Sequence, residues 1–340
     1  MQNDVLTNYL NTLSTEEKKN LIAELTRDVR KTETDKKLTE SCINNSNCPH
    51  CQGNHIVKIG KVNGIQRFKC RNCGKNFSLK TNTAFAYSKK SIEIWHAYIE
   101  LMSDKLSIRK IAERLKINKN TALLWRHKIL SVISFAKSDK LCGIVEADEV
   151  YFRESQKGNH KLARKSHKHG KSRMTKQHWI AFAGLSEEEY TKMKRKRGLS
   201  QDQVCIITAL DRTNNILGKA VGFGKVKPQW IEQELQPFVS KKSILVTDGE
   251  KGYSRIKSVK HKKFITGMSK SKTYNLGRVD NLHTSMKGLI NGTFKGVATK
   301  YLSNYVNYVK ILKQNTDLFT TIISNNVKIT RDTLRSQYAF

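Results

Sequence analysis

Four cysteines fall into two close pairs, Cys48-Pro-His-Cys51 and Cys70-Arg-Asn-Cys73, with eighteen residues between them. Two such knuckles can aim four thiolates at the corners of a tetrahedron, the closed geometry that structural Zn2+ adopts. The intervening IVKIGKVNGIQRFKC alternates apolar and polar residues about Asn63-Gly64, a hairpin turn signal. A zinc ribbon over residues 48–78 follows, and so small a module has little core and depends on its ion to fold. His50 and His55 stand near enough to compete as ligands, but four sulfurs already satisfy the metal.

A second set of residues is acidic. Asp148 lies within the apolar run Ile144–Phe152, and Asp248 follows the apolar run Ser243–Val246. An acid in an apolar strand is costly unless it is paired or holds a metal. A helical pattern at 279–292 offers a third group: Asp280, His283 and Lys287, spaced three and four apart, share one face, with Asn281 about 100° round the helix. Three such groups suit two Mg2+ ions ~3.5–4 Å apart, which activate an attacking oxygen and stabilise a leaving one at a phosphodiester. Lys287 could touch a phosphate. Each residue also has a plainer reading: a capping or ion-paired aspartate, a hydrogen-bonded histidine, a surface lysine, or, for Asp280, a charge favoured at a helix N-terminus.

Between these sets, residues 89–137 are helix-rich. Ser107 to Leu130 reads as helix, turn, helix, with Ile111, Ala112 and Leu115 buried in the first helix and Lys116-Ile117-Asn118 as the turn. The second helix buries Ala122, Leu123 and Ile129 and turns Lys119, Asn120, Thr121, Arg126 and Lys128 outward, a polar face able to enter a major groove. A helical hairpin with a solvated charged face is the simpler alternative.

The elements that must position the carboxylates follow Lys140. Strands are predicted at Ile144–Phe152, Trp179–Leu185, Val204–Leu210, Ile216–Phe223, Ser243–Val246 and Lys263–Ile265, and helices at 228–239, 250–257, 279–292 and 298–314. Strands first and helices interleaved later give a mixed α/β sheet covered by helices. The basic stretch 153–177 and the stretch 186–202 read as insertions. Tyr301, Tyr305 and Tyr308 recur at helical spacing as core residues, and Cys142 and Cys205 read as buried strand residues. The remaining divisions are an N-terminal helix and linker over 1–47, opened by a Ser14/Glu17 capping box, and a tail over 316–340.

The 340 residues carry 63 Lys plus Arg against 29 Asp plus Glu, a formal charge of +34. That surplus repels itself without a polyanion, so nucleic acid is the expected partner. No apolar run approaches the ~18–20 residues of a bilayer span, and seven cysteines with two metal-type pairs suit a reducing cytoplasm. A membrane protein and a disulfide scaffold are both disfavoured.

The ordered combination CPHC…CRNC, helix-turn-helix, ADEVYF, TDG and VDNLHTSMKG…GTFKGV resembles the bacterial insertion-sequence transposases of the ISXO2-like type, which join a zinc ribbon to a ribonuclease-H-like DDE catalytic domain. The resemblance covers residues 45 to 315. It implies a ribonuclease-H-like domain over 140–315, with Asp148 and Asp248 as the first two catalytic aspartates and Asp280, followed seven residues later by Lys287, at the third place. Many relatives have Glu there and others Asn. This chain has Asp, one methylene shorter than Glu, with Asn281 beside it and His283 a turn on, so that either the helix lies closer or the second metal is held through water or His283.

The resemblance further implies structural Zn2+, catalytic Mg2+ with Mn2+ able to substitute, and double-stranded DNA as partner, both element ends and target. It implies a homodimer or larger assembly on DNA and a cytoplasmic, nucleoid-associated location. The basic insertion, with Lys157, Lys161, Arg164, Lys165, Lys168, Lys171, Arg173 and Lys176, would grip phosphates. Alternatives are a non-catalytic zinc-ribbon and helix-turn-helix transcriptional regulator and a nuclease without strand transfer.

Overall fold

The computed structural model describes residues 10–22, 24–26, 28, 29, 32, 47–62, 65–78, 80–134, 140–157, 186–188, 203–257, 259–263, 273–324 and 329. The chain divides into two compact units, Met1–Ala136 with Asp317–Leu334, and Lys137–Thr316 with Arg335–Phe340.

The first unit opens with the reciprocal cap expected at Ser14: its N–H donates to Glu17 Oε2 at 2.8 Å, while Glu17 N–H donates to Ser14 Oγ at 3.2 Å. An antiparallel sheet of β1 (Ile56–Val62), β2 (Ile65–Cys70) and β3 (Asn76–Ser78) follows. Val62 pairs with Ile65, which brackets the predicted turn at 63–64; those two residues lie outside the described ones.

Three helices come next: α1 (Ile92–Ser103), α2 (Ile108–Arg114) and α3 (Lys119–Ser134). Ser107 Oγ accepts the N–H of Lys110 at the start of α2. Lys116 takes a left-handed φ of 50° as that helix ends, and Asn118 Oδ1 then accepts the N–H of Asn120 at 2.8 Å, capping α3. Trp95 stacks on Trp125 at 3.8 Å between ring centroids, and Phe85 meets Trp95 edge-on. The tail expected over 316–340 is corrected in part. Leu318–Ser324 forms a further helix on α1 and α3, because Phe319 buries its ring 4.3 Å from His96 and 5.9 Å from Phe85.

The second unit holds five strands: β4 (Ile144–Arg153), β5 (Gln203–Leu210), β6 (Ile216–Phe223), β7 (Ile244–Thr247) and β8 (Lys260–Lys263), in the order β6-β5-β4-β7-β8. The β4–β5 and β5–β6 pairs are antiparallel, and the β4–β7 and β7–β8 pairs parallel. The last strand begins at Lys260, ahead of the predicted 263–265, of which 264 and 265 lie outside the described residues. The strand expected at 179–185 lies outside the described residues.

Alternation along β4 sends Val145 and Ala147 into the core shared with Ile231, Leu235, Val239 and Tyr253, where α4 (Pro228–Glu234) packs. The segment predicted helical at 250–257 is a 3-10 helix, Lys251–Arg255. Glu146 and Asp148 face the other way, toward α5 (Gly277–Lys287), which runs on into a π-helical turn, Gly288–Thr293. On the same side α6 (Leu302–Lys313) crosses β6 so closely that a Cβ on Gly218 would meet Val306 Cγ1 at 2.4 Å. Tyr305 and Tyr308 are buried, as their spacing predicted, whereas Cys142 is exposed and only Cys205 is buried.

Candidate metal centre

Two clusters of ligand-type side chains form among the described residues, one in each unit: Cys48, Cys51, Cys70 and Cys73, and Asp148, Asp280 and His283. In the first, sulfur atoms lie 3.7 Å apart for Cys48 and Cys73 and 3.6 Å apart for Cys51 and Cys70. Four sulfurs at ~2.3 Å from a tetrahedral ion are about 3.8 Å from each other, so the cage already has the size of a structural zinc site. His50 turns toward Phe77, with ring centroids 6.5 Å apart.

The second cluster is assembled by three elements. Asp148 rides on β4. The β4–β7 register ends at Glu146 opposite Val246, so Asp148 and Asp248, each two residues further along parallel neighbours, stand side by side. Asp248 Oδ1 accepts the N–H of Glu250 at 2.9 Å, closing the turn after β7. Asp248 lies outside the tight trio, yet its charge, with that of Asp280, adds to the burial that pushes the Asp148 carboxyl up to about 6, while Lys287 offsets part.

The α5 helix brings Asp280 and His283. Their ligand atoms and one from Asp148 all lie within 4.8 Å of one another. Thr208 on β5 fixes the imidazole: its single hydroxyl proton goes to the Asp148 carbonyl at 2.9 Å, so the 2.6 Å contact with His283 Nε2 has the ring N–H as donor. Burial, then Lys287, lowers the His283 pKa to about 4, which keeps the ring neutral. The lone pair on Nδ1 therefore faces Asp148 Oδ2, 3.7 Å away. Two carboxylates and an imidazole lone pair converge here and could hold a cation; as a donor set they fit a hard divalent ion that also accepts nitrogen.

Glu146, which the sequence reading passed over, anchors this arrangement. Its buried carboxylate accepts the N–H groups of Arg278 and Val279 at 2.9 and 3.2 Å, capping α5 from β4, and pairs with Arg212 at 3.1 Å. It lies two residues before Asp148 on the same face. Glu149 faces the opposite side of β4; its carboxyl is pushed up to about 7 by burial first, with repulsion from Asp148 and Asp248 adding to it.

The other predicted residues separate. Asn281 is exposed and accepts from Lys313 Nζ at 2.6 Å, turned from the cluster. Lys287 is exposed at the far end of α5, close enough to act on Asp148 and His283 electrostatically. On α3, Lys119 and Asn120 are exposed and Thr121 half-buried. Arg126 and Lys128 do not face outward. Arg126 is wholly buried and donates to the Leu106 carbonyl at 2.7 Å, and Lys128 donates to the carbonyls of Ala84 and Ala86. Leu123, expected inside, is 42% exposed. Lys157 ties the base of the basic insertion to the carbonyls of Lys295 and Gly296. Lys161, Arg164, Lys165, Lys168, Lys171, Arg173 and Lys176 lie outside the described residues.

Residues 175–310 match the family model of the ISXO2-like transposase domain, a span that takes in Asp248, Asp280, His283 and Lys287. A 115-residue stretch is 28% identical to an uncharacterized protein in transposable element ISH50 of Halobacterium salinarum, covering 33% of this chain and 38% of that relative. The chain thus spans well under half of the relative it matches.

A second model, the Southampton virus-type processing peptidase, matches residues 20–214, across the boundary between the units. A cysteine peptidase needs an activated thiolate. Four cysteines in that span face one another, Cys142 directs its sulfur at the Lys140 carbonyl, and burial first of all pushes the Cys205 thiol, beside Tyr151, up to about 12. Among the described residues the thiol that is drawn down, Cys70 to about 7 by the backbone N–H of Cys73, lies inside the four-sulfur cage, and the peptidase match carries no functional argument. The domain match, the relative and the two clusters together support a transposase-like chain at the level of the superfamily.

Proposed function

We propose that the protein is an insertion-sequence DNA transposase that binds element ends and performs metal-dependent strand cleavage and strand transfer. The observation that carries this reading is the convergence of Asp148, Asp280 and the Nδ1 lone pair of His283 beside Asp248. The order of the strands supports a ribonuclease-H-like second unit: three antiparallel strands, then two parallel to the first, with Asp148 midway along the central strand, Asp248 just after its parallel neighbour and Asp280 on a crossing helix.

Asp148, Asp280 and His283 would hold one divalent ion, Mg2+ or Mn2+, and Asp148 with Asp248 a second; when bound, such ions activate an attacking oxygen and stabilise the leaving one. Thr208 holds the imidazole in the tautomer that offers Nδ1. Glu146 fixes α5 against β4, and Lys287 supplies a positive charge at the edge of the acids, where a phosphate would enter. The nucleophile is water or a DNA 3′-hydroxyl, so no side chain need be acylated or phosphorylated.

In the first unit, the four cysteines would hold structural Zn2+. The exposed start of α3, Lys119, Asn120 and Thr121, would address the major groove, with Arg126 and Lys128 holding the helix in place. The basic insertion would add non-specific phosphate contacts.

The test is cleavage of a supercoiled plasmid carrying the DNA that flanks the gene. Mg2+- or Mn2+-dependent nicking that falls at least about a hundredfold in Asp148→Asn, with unchanged DNA affinity, supports the enzyme. An intact chain that binds this DNA and cuts it under neither ion supports the regulator instead. Cut ends that never join a second duplex support a nuclease without strand transfer.

A further inference from the structure

Tyr87 combines two features that the fold does not need. It is 90% exposed, and its backbone sits at φ 61°, in the left-handed region that an aromatic residue rarely enters. Glycine or asparagine would take this conformation more cheaply. Both the strain and the unburied ring count against stability, so neither is explained by packing.

The loop that presents the ring is firmly held. Lys80 Nζ donates to the Lys90 carbonyl at 3.4 Å, closing residues 80–90 at the base. Asn82 Nδ2 donates to the Pro49 carbonyl at 3.0 Å, which ties the loop to the first cysteine knuckle. Lys128 Nζ reaches the carbonyls of Ala84 and Ala86, at 3.5 and 3.3 Å, and Trp95 Nε1 donates to Ser88 Oγ at 2.9 Å. Phe85, two residues before Tyr87, is wholly buried. The residues before it, Thr83 to Ala86, are buried, and the tyrosine projects. One residue further on come Lys89 and Lys90, both exposed.

We propose that Tyr87 is a nucleobase-stacking residue, its ring covering a base left open at a DNA end, nick or distorted step, with Lys89 and Lys90 on the adjoining phosphates. A rigid aromatic face beside two ammonium groups matches the two parts of a nucleotide, the π-face and the anion. A protein partner is less favoured, because this chain already carries +34 and two bare lysines beside a protein contact would be desolvated at a cost. Bases within an intact duplex have both faces covered, so the ring selects DNA with an unstacked base. The inference rests on the DNA-binding reading above.

The test measures binding of the full chain, by fluorescence anisotropy, to a labelled duplex with a 3′ single-stranded overhang and to its blunt counterpart. Wild type should prefer the overhang. Tyr87→Asn and Tyr87→Gly should weaken overhang binding roughly tenfold or more while melting at or above the wild-type temperature, since strain is relieved. Tyr87→Phe should bind as wild type.

Variants that bind both duplexes like wild type overturn the inference, as does a Phe variant as weak as Asn, or a lowered melting temperature in both Asn and Gly. A fall in oligomeric mass with unaltered DNA binding overturns it in favour of a protein contact. A wild-type chain that binds neither duplex fails the DNA-binding reading itself, which is a separate outcome.

Discussion

Thr208 decides what His283 can do. A threonine hydroxyl has one proton, and because Asp148's carbonyl takes it, the imidazole must donate through Nε2 and keep Nδ1 free. Thr208→Val removes this lock while preserving shape, so Mn2+ affinity should fall roughly ten- to a hundredfold, the usual scale for losing a partner behind a metal ligand; isothermal titration reads it. His283→Ala should lose more and should shift preference toward Mg2+, which is less tolerant of nitrogen.

Protonation acts at the same scale. The Asp148 carboxyl, raised to about 6 by burial, holds its proton more tightly in the folded chain than in the unfolded one, so without added divalent ion stability is greatest below about pH 4 for this group and declines as pH rises through 6. Metal must displace that proton, so Mn2+ affinity should fall about tenfold per pH unit below 6 and level off above it. A pH-independent affinity between 5 and 7 would show that Asp148 is not a ligand.

Elements differ in how plainly the sequence announced them. Apolar runs made β4, β5, β6 and β7 readable, because their side chains pack on both faces of a covered sheet. The edge strand β8 is Lys-His-Lys-Lys; lysines guard a sheet edge, and no hydrophobic period marked it. Helical spacing correctly grouped Asp280 with His283, but the outward face of α3 was misjudged. Charge alone suggested that Arg126 and Lys128 faced solvent, whereas buried carbonyls from distant loops take their hydrogen bonds. Glu146 was hidden for the same reason: its partners are 132 and 133 residues away.

That last contact makes a prediction for α5. Glu146→Ala removes the cap of the helix carrying Asp280 and His283 and leaves Arg212 without its buried partner. Denaturation should show a loss of about 1–3 kcal/mol, the scale for leaving buried N–H donors without an acceptor, and weakened metal binding should accompany it. Glu146→Gln keeps an acceptor for the helix N–H groups and should recover most of the metal affinity. Equal metal affinity in wild type and the Ala variant would separate Glu146 from the site.

At the scale of the whole molecule, the cation-dependent chemistry is divided between two units, and so should be the response to metal removal. Stripping zinc with a strong chelator, or replacing Cys70 by Ser, should unfold the ribbon and abolish specific DNA binding. A structural zinc contributes its binding energy directly to folding. The second unit, with its own core of Val145, Ala147, Ile207, Leu217, Ile231 and Tyr253, should melt as before. The charge of +34 sets the background: affinity for any duplex should fall steeply with salt, and the slope of log affinity against log salt counts the phosphates contacted. No helix among the described residues is long and apolar enough to cross a membrane.

The most direct measurement is divalent-ion-dependent nicking of DNA that carries the sequence flanking the gene, compared among wild type, Asp148→Asn, Asp280→Asn and His283→Ala. Wild type should nick with Mg2+ or Mn2+, both aspartate variants should lose nicking and His283→Ala should show a marked fall, all with folding and DNA affinity intact. Undiminished nicking by Asp280→Asn and His283→Ala, or none by wild type under either ion, would contradict the proposal.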